Sequence, residues 1–286
     1  GLLSCMLPWR KTVGSVMEFI SNARMYSVSE EAEEAWRLLL GHIADDAGVP
    51  LSYEAYPAPQ PLEVLWRRPD LGCVLMCGYP IALEVAKVQP LAAPIPKAAW
   101  ANNRAVYRSD LIVREDAPFN KLSDTFSGTA GWTVDHSHSG FNAFRHHLLQ
   151  FRKDNEQKLY QNAIGNLITA RGILDEVLDG TIDIGPLDAY WHMLLRKYRP
   201  ELVKGIRVLE STAVAPMPAF VASPNVPAEM VDKLKAAFAA AHRQPWFELV
   251  ASKLLIAGFE TVNHATFVST LAWDQEAKAA GYNLPE

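Results

Sequence analysis

Apolar positions along the first third of the chain recur at strand spacing in short segments and at helical spacing in longer ones. The helix before Gly48 has acidic residues in its first turn and ends where a helix-terminating glycine belongs. The strand predicted at 72–77 is apolar on both faces, as in a buried parallel sheet. This order predicts right-handed crossovers. The predicted elements are a strand with its exit loop at 18–26, a helix that starts at the acidic residues 30–34 and has apolar positions from 36 to 47, a strand at 51–56, a helix at 61–66 and a strand at 72–77.

A second series of strands and helices follows, and it predicts a second α/β unit inserted in the first. Predicted strands are 106–113, 131–134, 182–185, 206–209 and 219–222. Predicted helices are 141–151, 169–178, 187–196 and one opened by Pro227, with a largely helical stretch from Trp246 onward. We expect lobe 1 to comprise residues 17–111 plus 212–286, and lobe 2 to comprise residues 112–211. Two strand connections would form a hinge between them.

Length and charge limit the class of protein. A chain of 286 residues is long for one core, so two domains are expected. The net charge of −5 argues against a broad basic surface and therefore against nucleic-acid binding, so any affinity for anions must be local. No apolar run approaches the roughly 18 residues that span a bilayer.

The cysteines and the N-terminal segment bear on the compartment. Cys73 and Cys77 lie four residues apart on one predicted strand, about 13 Å between Cα atoms, which is too far for a disulfide. Arg10-Lys11 is a basic pair without the apolar core of a secretion signal after it. We therefore expect either a chain that was cut before its first residue or a cytoplasmic protein.

The most informative segment for chemistry is 135–142, between a predicted strand and a predicted helix. Ser137 and Ser139 offer hydroxyls, Gly140 allows a close turn, and free amide groups at a helix N-terminus attract an oxyanion. Phosphate, phosphonate or carboxylate would suit such a place. The alternative is that the two serines cap a helix with nothing bound.

Two other chemistries compete for the same segment. Four histidines cluster near Asp135, but zinc needs three or four ligands that converge, and adjacent helical histidines point about 100° apart. We expect no metal from this set, which is His136, His138, His146 and His147. Serine, histidine and aspartate are also present, but Asp135 and Ser139 occupy the positions flanking Ser137 where a nucleophile elbow needs glycines, so we expect no enzyme.

Several short motifs, in order and spacing over residues ~18–225, carry a family resemblance. The chain resembles the type 2 periplasmic binding proteins, and within them the phosphate-, phosphite- and phosphonate-binding receptors of ABC transporters. The motifs are Met25-Tyr26, Cys77-Gly78-Tyr79-Pro80, Tyr107-Arg108-Ser109, Ser137-His138-Ser139-Gly140 and the run from Val177 to Gly185 followed by Asp188.

The resemblance implies an α/β bilobal fold, with two mixed sheets flanked by helices and joined by a two-strand hinge. It places a ligand between the lobes. Many relatives have a histidine shortly before the helix predicted at 169–178, and this chain has Asn166 or Leu167 near that position. Asp188 suits a ligand amine, hydroxyl or protonated oxygen, or else serves the start of a helix. Arg24 either neutralises the ligand or is a solvated surface arginine. The candidate ligand-binding residues are Arg24, Tyr26, Gly78, Tyr79, Tyr107, Ser137, His138, Ser139, Gly140, Asn166 and Asp188.

The functional expectation is a solute receptor that closes on a small anionic ligand, catalyses nothing and needs no cofactor or metal. By resemblance it would be periplasmic, monomeric and a partner of ABC-transporter membrane subunits. A cytoplasmic location is the alternative because residues 1–16 contain no complete signal. The alternative function is that of an enzyme or a cofactor-precursor-binding protein on the same scaffold.

Overall fold

The computed structural model describes residues 17–286, so Cys5 and the pair Arg10-Lys11 lie outside the described residues. The strands are β1 (Ile20–Asn22), β2 (Ser52–Tyr53), β3 (Leu71–Met76), β4 (Gln89–Pro96), β5 (Val106–Tyr107), β6 (Ser109–Arg114), β7 (Thr129–Gly131), β8 (Asn162–Ile164), β9 (Gly185–Asp188), β10 (Ile206–Ser211), β11 (Ala215–Pro216), β12 (Ala219–Ala222) and β13 (Ile256–Thr261).

Helices follow most strands, and their ends carry the residues that helix termini need. Ser29 accepts a hydrogen bond from the Ala32 amide at the start of the first helix, and Gly48 ends it with a φ of 65°. The α-helices are α1 (Glu30–Ala47), α2 (Leu62–Trp66), α3 (Gly78–Ala82), α4 (Ala143–Leu148), α5 (Ala170–Asp179), α6 (Ala189–Tyr198), α7 (Pro200–Val203), α8 (Ala228–Ala240), α9 (Phe247–Leu254) and α10 (Val268–Ala279).

The larger sheet has six strands in the order β13-β4-β12-β3-β1-β2. Strand β1 is parallel to β2 and to β3, whereas β12 runs antiparallel to β3 and β4. The sheet is therefore mixed, with the parallel part predicted from the first series of elements. Its core is a large cluster that includes the buried side chains of α1 and α8.

The second sheet has β6 at its centre, antiparallel to β10 on one side and to β9 on the other. Strands β7 and β8 form a parallel pair, and a bridge between Ala130 and Ile184 joins this pair to the segment that enters β9. Two smaller apolar clusters cover the faces of this sheet.

The two sheets are connected by the antiparallel pair β5–β11, in which Ala215 pairs with Tyr107 and Pro216 with Val106. The predicted strand 106–113 is divided at Arg108 into β5 and β6. This break separates the connecting pair from the second sheet, because Ser109 already pairs with Asp188 of β9.

Two strands of the large sheet were not predicted from the sequence. Strand β4 contains Pro90, Pro94 and Pro96, and proline normally argues against a strand inside a sheet. Strand β13 interrupts the stretch from Trp246 that was predicted as largely helical, and that stretch is otherwise mostly helical through α9 and α10. β4 pairs with both β12 and β13, and each pairing contains one shift of register, beside Pro90 and beside Pro96.

The C-terminal segment crosses from one sheet to the other. Helix α10 packs against α3 and against α4, and Tyr282 belongs to one of the clusters on the second sheet. Arg145 of α4 forms a buried ion pair of 2.5 Å with Asp274 of α10. None of the helices between residues 17 and 286 is both long and apolar enough to span a bilayer.

Candidate functional site

A cavity of about 260 Å³ lies where the ends of several strands from both sheets meet. It receives Met25 and Arg24 from the loop after β1, and Pro186 and Asp188 from β9. Its polar lining residues are Arg24, Ser27, Thr133, His136, Ser137, Ser139, Thr169, Arg171 and Asp188. Its apolar lining residues include Met25, Val28, Leu62, Trp66, Val134, Ile168, Pro186, Trp191 and Leu195.

The serine loop, residues 133–140, closes on itself at one wall of this cavity. The Thr133 amide donates to the Gly140 carbonyl at 3.0 Å, and the Gly140 amide donates to Ser137 Oγ at 3.0 Å. A Cβ on Gly140 would lie 2.0 Å from Thr133 Oγ1, so only glycine fits this turn. A short π-helical turn, His138–Asn142, then leads into α4.

Three polar atoms of cavity-lining residues are buried without a hydrogen-bond partner: Arg24 Nε, Thr133 Oγ1 and His136 Nδ1. Arg24 Nη2 meanwhile donates to the Gln60 carbonyl at 2.9 Å, which fixes the guanidinium at the cavity wall. Buried polar atoms in native proteins are rarely left without partners. A ligand with acceptor oxygens would satisfy at least the first two.

The start of α5 forms a further part of the wall. Thr169 Oγ1 accepts from the Gly172 amide at 3.1 Å, and the first amides of the helix, at Ala170 and Arg171, have no partner within the helix. Ile168, half-exposed at the cavity, has a φ of 69°, which a β-branched side chain rarely adopts. The Thr169 amide closes a tight turn over it by donating to the Leu167 carbonyl at 2.8 Å.

The amides of His138 and Ser139 belong to the segment predicted to bind an oxyanion, and they lie near enough to the sulfur of Cys77 to lower the pKa of its thiol. Tyr107 Oη lies 3.2 Å from the same sulfur. Burial raises the pKa of the Cys77 thiol, and these hydrogen bonds only partly offset it, so the thiol is neutral. The hydroxyls of the loop, rather than these two amides, are therefore available to the cavity.

His138 does not line the cavity. Its ring is buried between Tyr107 and Trp273, at centroid distances of 5.8 and 5.3 Å, and its Nδ1 lies 3.3 Å from Asn142 Nδ2. Burial lowers the pKa of His138 to about 3. The charge-assisted bond that a protonated His138 would give is therefore not available near neutral pH.

Asp188 is buried at the cavity wall with both carboxylate oxygens engaged. Oδ1 accepts from the amides of Tyr190 and Trp191 at 2.9 and 3.0 Å, which caps α6, and Oδ2 accepts from Tyr26 Oη at 2.8 Å. Burial raises the pKa of Asp188 to about 6. The sequence suggested that Asp188 either binds a ligand or starts a helix. It starts α6 and also lines the cavity, but its carboxylate already accepts three hydrogen bonds from the protein.

Residues from the two predicted lobes meet across the cavity at a second place. His136 Nε2 contacts the Glu63 carboxylate of α2, and the His136 ring lies edge-on to Trp66 at 6.0 Å. Burial would raise the pKa of Glu63, but hydrogen bonds from its own amide and from His136 lower the pKa below its usual value. The Glu63 carboxylate is thus ionised and engaged.

The remaining predicted residues do not themselves line the cavity. Gly78 packs against Phe267, where a Cβ would be 2.5 Å from the ring. Tyr79 is buried beside Asp274, and burial raises the pKa of Tyr79 to about 12. Asn166 is exposed with a φ of 57°. Tyr26 and Tyr107 are fully buried, and their hydroxyls form hydrogen bonds with Asp188 and Cys77, respectively.

The cavity thus gathers five of the predicted residues, namely Arg24, Ser137, Ser139, Gly140 and Asp188, and leaves out Tyr26, Gly78, Tyr79, Tyr107, His138 and Asn166. Sequence reasoning missed Thr133 and Thr169. A hydroxyl at the end of a strand and another before a helical pattern were the signals that could have identified them. Trp191 had been considered, and it lines the cavity.

The histidines that suggested a metal site diverge. His146 stacks on Trp273 at 4.5 Å and contacts Glu276, while His147 contacts Glu210. Among residues 17–286, no group of three or more histidine, cysteine or acidic side chains is arranged to hold a metal ion. Cys73 and Cys77 are both free and buried.

Comparison with known proteins gives a family and a fold. A family model described as "ABC transporter, phosphonate, periplasmic substrate-binding protein" matches residues 26–267. No curated protein sequence matches.

Solved structures match over nearly the whole chain. A binding protein component of an ABC phosphonate transporter from Pseudomonas aeruginosa is 15% identical with a TM-score of 0.75, over 92% of this chain and 87% of that one. A Prochlorococcus marinus protein in complex with methylphosphonate is 12% identical with a TM-score of 0.73, over 92% and 98%. A Xanthomonas citri protein bound to ATP is 14% identical with a TM-score of 0.64, over 93% and 99%. At such identities the structural likeness establishes the fold alone.

Proposed function

The chain belongs to the family of periplasmic substrate-binding proteins of phosphonate ABC transporters, and on that premise we propose that it closes its two lobes on a small oxyanion. Family membership confirms the resemblance drawn from the motifs, the α/β two-sheet fold and the expectation of a binding protein that is not an enzyme. The identity of the ligand is the open question.

One observation supports the proposal most directly. Arg24, which follows β1 of the large sheet, and Thr133, which follows β7, both line the cavity, and Arg24 Nε and Thr133 Oγ1 are buried without a partner. A phosphonate or carboxylate oxygen between them would satisfy both atoms and gain a charge-assisted bond from the guanidinium. The hydroxyls of Ser137 and Ser139 and the first amides of α5 would surround the rest of the head group.

The lobes of this proposal are those predicted from the sequence, 17–111 plus 212–286 and 112–211, with β5 and β11 as the hinge. We propose that the receptor works as a monomer in the periplasm and delivers its ligand to the membrane subunits of a transporter. The P. marinus protein, of the same fold, was solved with methylphosphonate, which makes the phosphonate group the first head group to test.

The test is a titration with phosphonates, inorganic phosphate and carboxylates, in which binding is measured by calorimetry and by tryptophan fluorescence. Fluorescence should respond because Trp66 and Trp191 line the cavity. We expect Arg24→Gln to weaken binding by roughly 10- to 100-fold, as for a hydrogen bond to a charged group, and Thr133→Val by roughly three- to tenfold.

The matched control is Arg243→Gln, which removes an exposed arginine and should leave affinity unchanged. If the unaltered protein has no measurable affinity for any member of the panel, the proposal is wrong.

A further inference from the structure

The cavity is lined by a set of apolar side chains as well as by residues with unpartnered donors, and this division of the lining bears on the ligand class. Resting on the proposed function, we propose that the preferred ligand is an oxyanion with a bulky apolar, preferably aromatic, substituent and without an ammonium group. The polar head would lie at the serine loop and Arg24, and the substituent would lie against two indole rings.

The apolar wall contains the side chains of Trp66, Leu62, Met25, Trp191 and Leu195. Trp66 is buried, and its Nε1 donates to the Leu75 carbonyl at 3.0 Å. Because that polar atom is already used, the Trp66 ring offers only its carbon surface to the cavity. Aromatic rings pack well on such a surface, edge-on or offset.

Among residues 17–286, the acidic groups at the cavity are already engaged in hydrogen bonds. Asp188 is the acidic residue in the lining, and its two oxygens accept three hydrogen bonds from Tyr26, Tyr190 and Trp191. The nearby carboxylate of Glu63 is occupied by His136. An ammonium group would therefore exchange its water for neutral hydroxyls and for carboxylates that already have other donors, and it would share the cavity with the Arg24 guanidinium. The ligand amine that the sequence suggested for Asp188 does not fit this arrangement.

The size of the cavity points the same way. A single water needs roughly 10–15 Å³ of cavity volume. The cavity of about 260 Å³ thus exceeds what inorganic phosphate or methylphosphonate, with five non-hydrogen atoms, would fill. A substituent of ring size would occupy the remainder and displace water from the apolar wall.

The experiment compares four phosphonates by calorimetry: methyl, n-propyl, phenyl and 2-aminoethyl. Propyl and 2-aminoethyl are a matched pair in which a methyl replaces the ammonium group. We expect phenylphosphonate to bind most tightly, propyl to bind about tenfold more tightly than methyl for its two extra methylenes, and 2-aminoethyl to bind at least tenfold more weakly than propyl. Benzoate and phenylacetate show whether the head group is a phosphonate or a carboxylate.

Two variants test the wall itself. Leu62→Ala and Trp66→Ala should each reduce the phenyl-to-methyl affinity ratio at least threefold. Leu62 is half-buried, so its variant keeps the test valid if Trp66→Ala does not fold.

The outcomes separate the two proposals. Tightest binding of methylphosphonate, phosphate or 2-aminoethylphosphonate overturns the inference about the substituent and leaves the oxyanion receptor standing. Absence of binding across all arms overturns both.

Discussion

Asp188 is a carboxylate that joins two parts of the molecule from one buried position. It caps α6 through Oδ1 and receives the Tyr26 hydroxyl of the loop after β1 through Oδ2. Burial raises its pKa from 3.8 to about 6, so the folded protein holds this proton more tightly than the unfolded chain. The ionised form therefore costs stability above pH 6, and this cost falls as the pH drops from 6 towards 4.

We predict that Asp188→Asn removes a pH dependence of folding stability. The difference of about two pKa units corresponds to at most about 3 kcal/mol. Relative to the variant, the unaltered protein should gain up to that amount as the pH falls from 7.5 to 4, measured as free energies of unfolding in urea.

Asp175→Asn, at an exposed carboxylate paired with Arg171, is the control, and its difference from the unaltered protein should stay within about 0.5 kcal/mol. A stability difference for Asp188→Asn that is the same at every pH would contradict the assignment.

Gly140 allows a second prediction at the scale of single residues. An added Cβ would lie 2.0 Å from Thr133 Oγ1, so Gly140→Ala must move the serine loop. We expect a loss of about 1–3 kcal/mol in the free energy of unfolding, together with weakened ligand binding.

Gly41→Ala is the matched control. Gly41 lies inside α1 with nothing within 4 Å of the new Cβ, so alanine should stabilise the protein by about 0.5–1 kcal/mol. Equal effects of the two substitutions would show that the close approach at Gly140 is unimportant.

At the scale of elements, the sequence was informative wherever local chemistry decides a boundary. The ends of α1 and α5 were predicted at the glycines that follow them, Gly48 and Gly180, and the structure has them there, whereas the capping roles of Ser29 and Thr169 came from the structure. Strand β4 follows from no local signal, because its prolines disfavour strands and only pairing with β12 and β13 holds it in the sheet.

The buried ion pair between α4 and α10 gives a prediction at this scale. Arg145 and Asp274 are both nearly inaccessible, and their atoms lie 2.5 Å apart. Asp274→Ala would leave the Arg145 guanidinium buried without its charge partner, so we expect a loss of about 3–5 kcal/mol in the free energy of unfolding.

The control is Glu229→Ala, which removes an exposed carboxylate paired with Lys233 and should cost less than about 0.5 kcal/mol. If chemical denaturation gives comparable losses for both, α10 does not depend on this pair.

At the scale of the whole molecule, the motifs predicted the fold better than they predicted the site. Residues at the carboxyl ends of strands, such as Ser137 and Asp188, line the cavity because the topology brings those ends together. Tyr79 and His138 lie within the same motifs, yet both are buried against α10, an element over a hundred residues away in sequence. Packing against α10 therefore decides which side chains of a motif reach the cavity. A local sequence pattern carries no information about that distant contact.

Cys77 lies where the two predicted lobes touch, and this leads to a prediction about their movement. Its sulfur belongs to the segment before α3 but contacts the amides of His138 and Ser139 in the other lobe. Separation of the lobes would expose this thiol, whereas Cys73 lies inside the large sheet and away from the cavity. Alkylation of Cys77 should therefore report lobe opening, and alkylation of Cys73 should require unfolding.

The measurement compares Cys73→Ala and Cys77→Ala, each combined with Cys5→Ser, so that one thiol remains. We expect Cys77 to react with iodoacetamide much faster than Cys73. A bound oxyanion should slow the reaction of Cys77 by a factor of about one plus the ratio of ligand concentration to Kd, because closure and labelling compete. If Cys77 reacts as slowly as Cys73 and ligand has no effect on it, the lobes do not open at this cavity and the ligand must enter by another route.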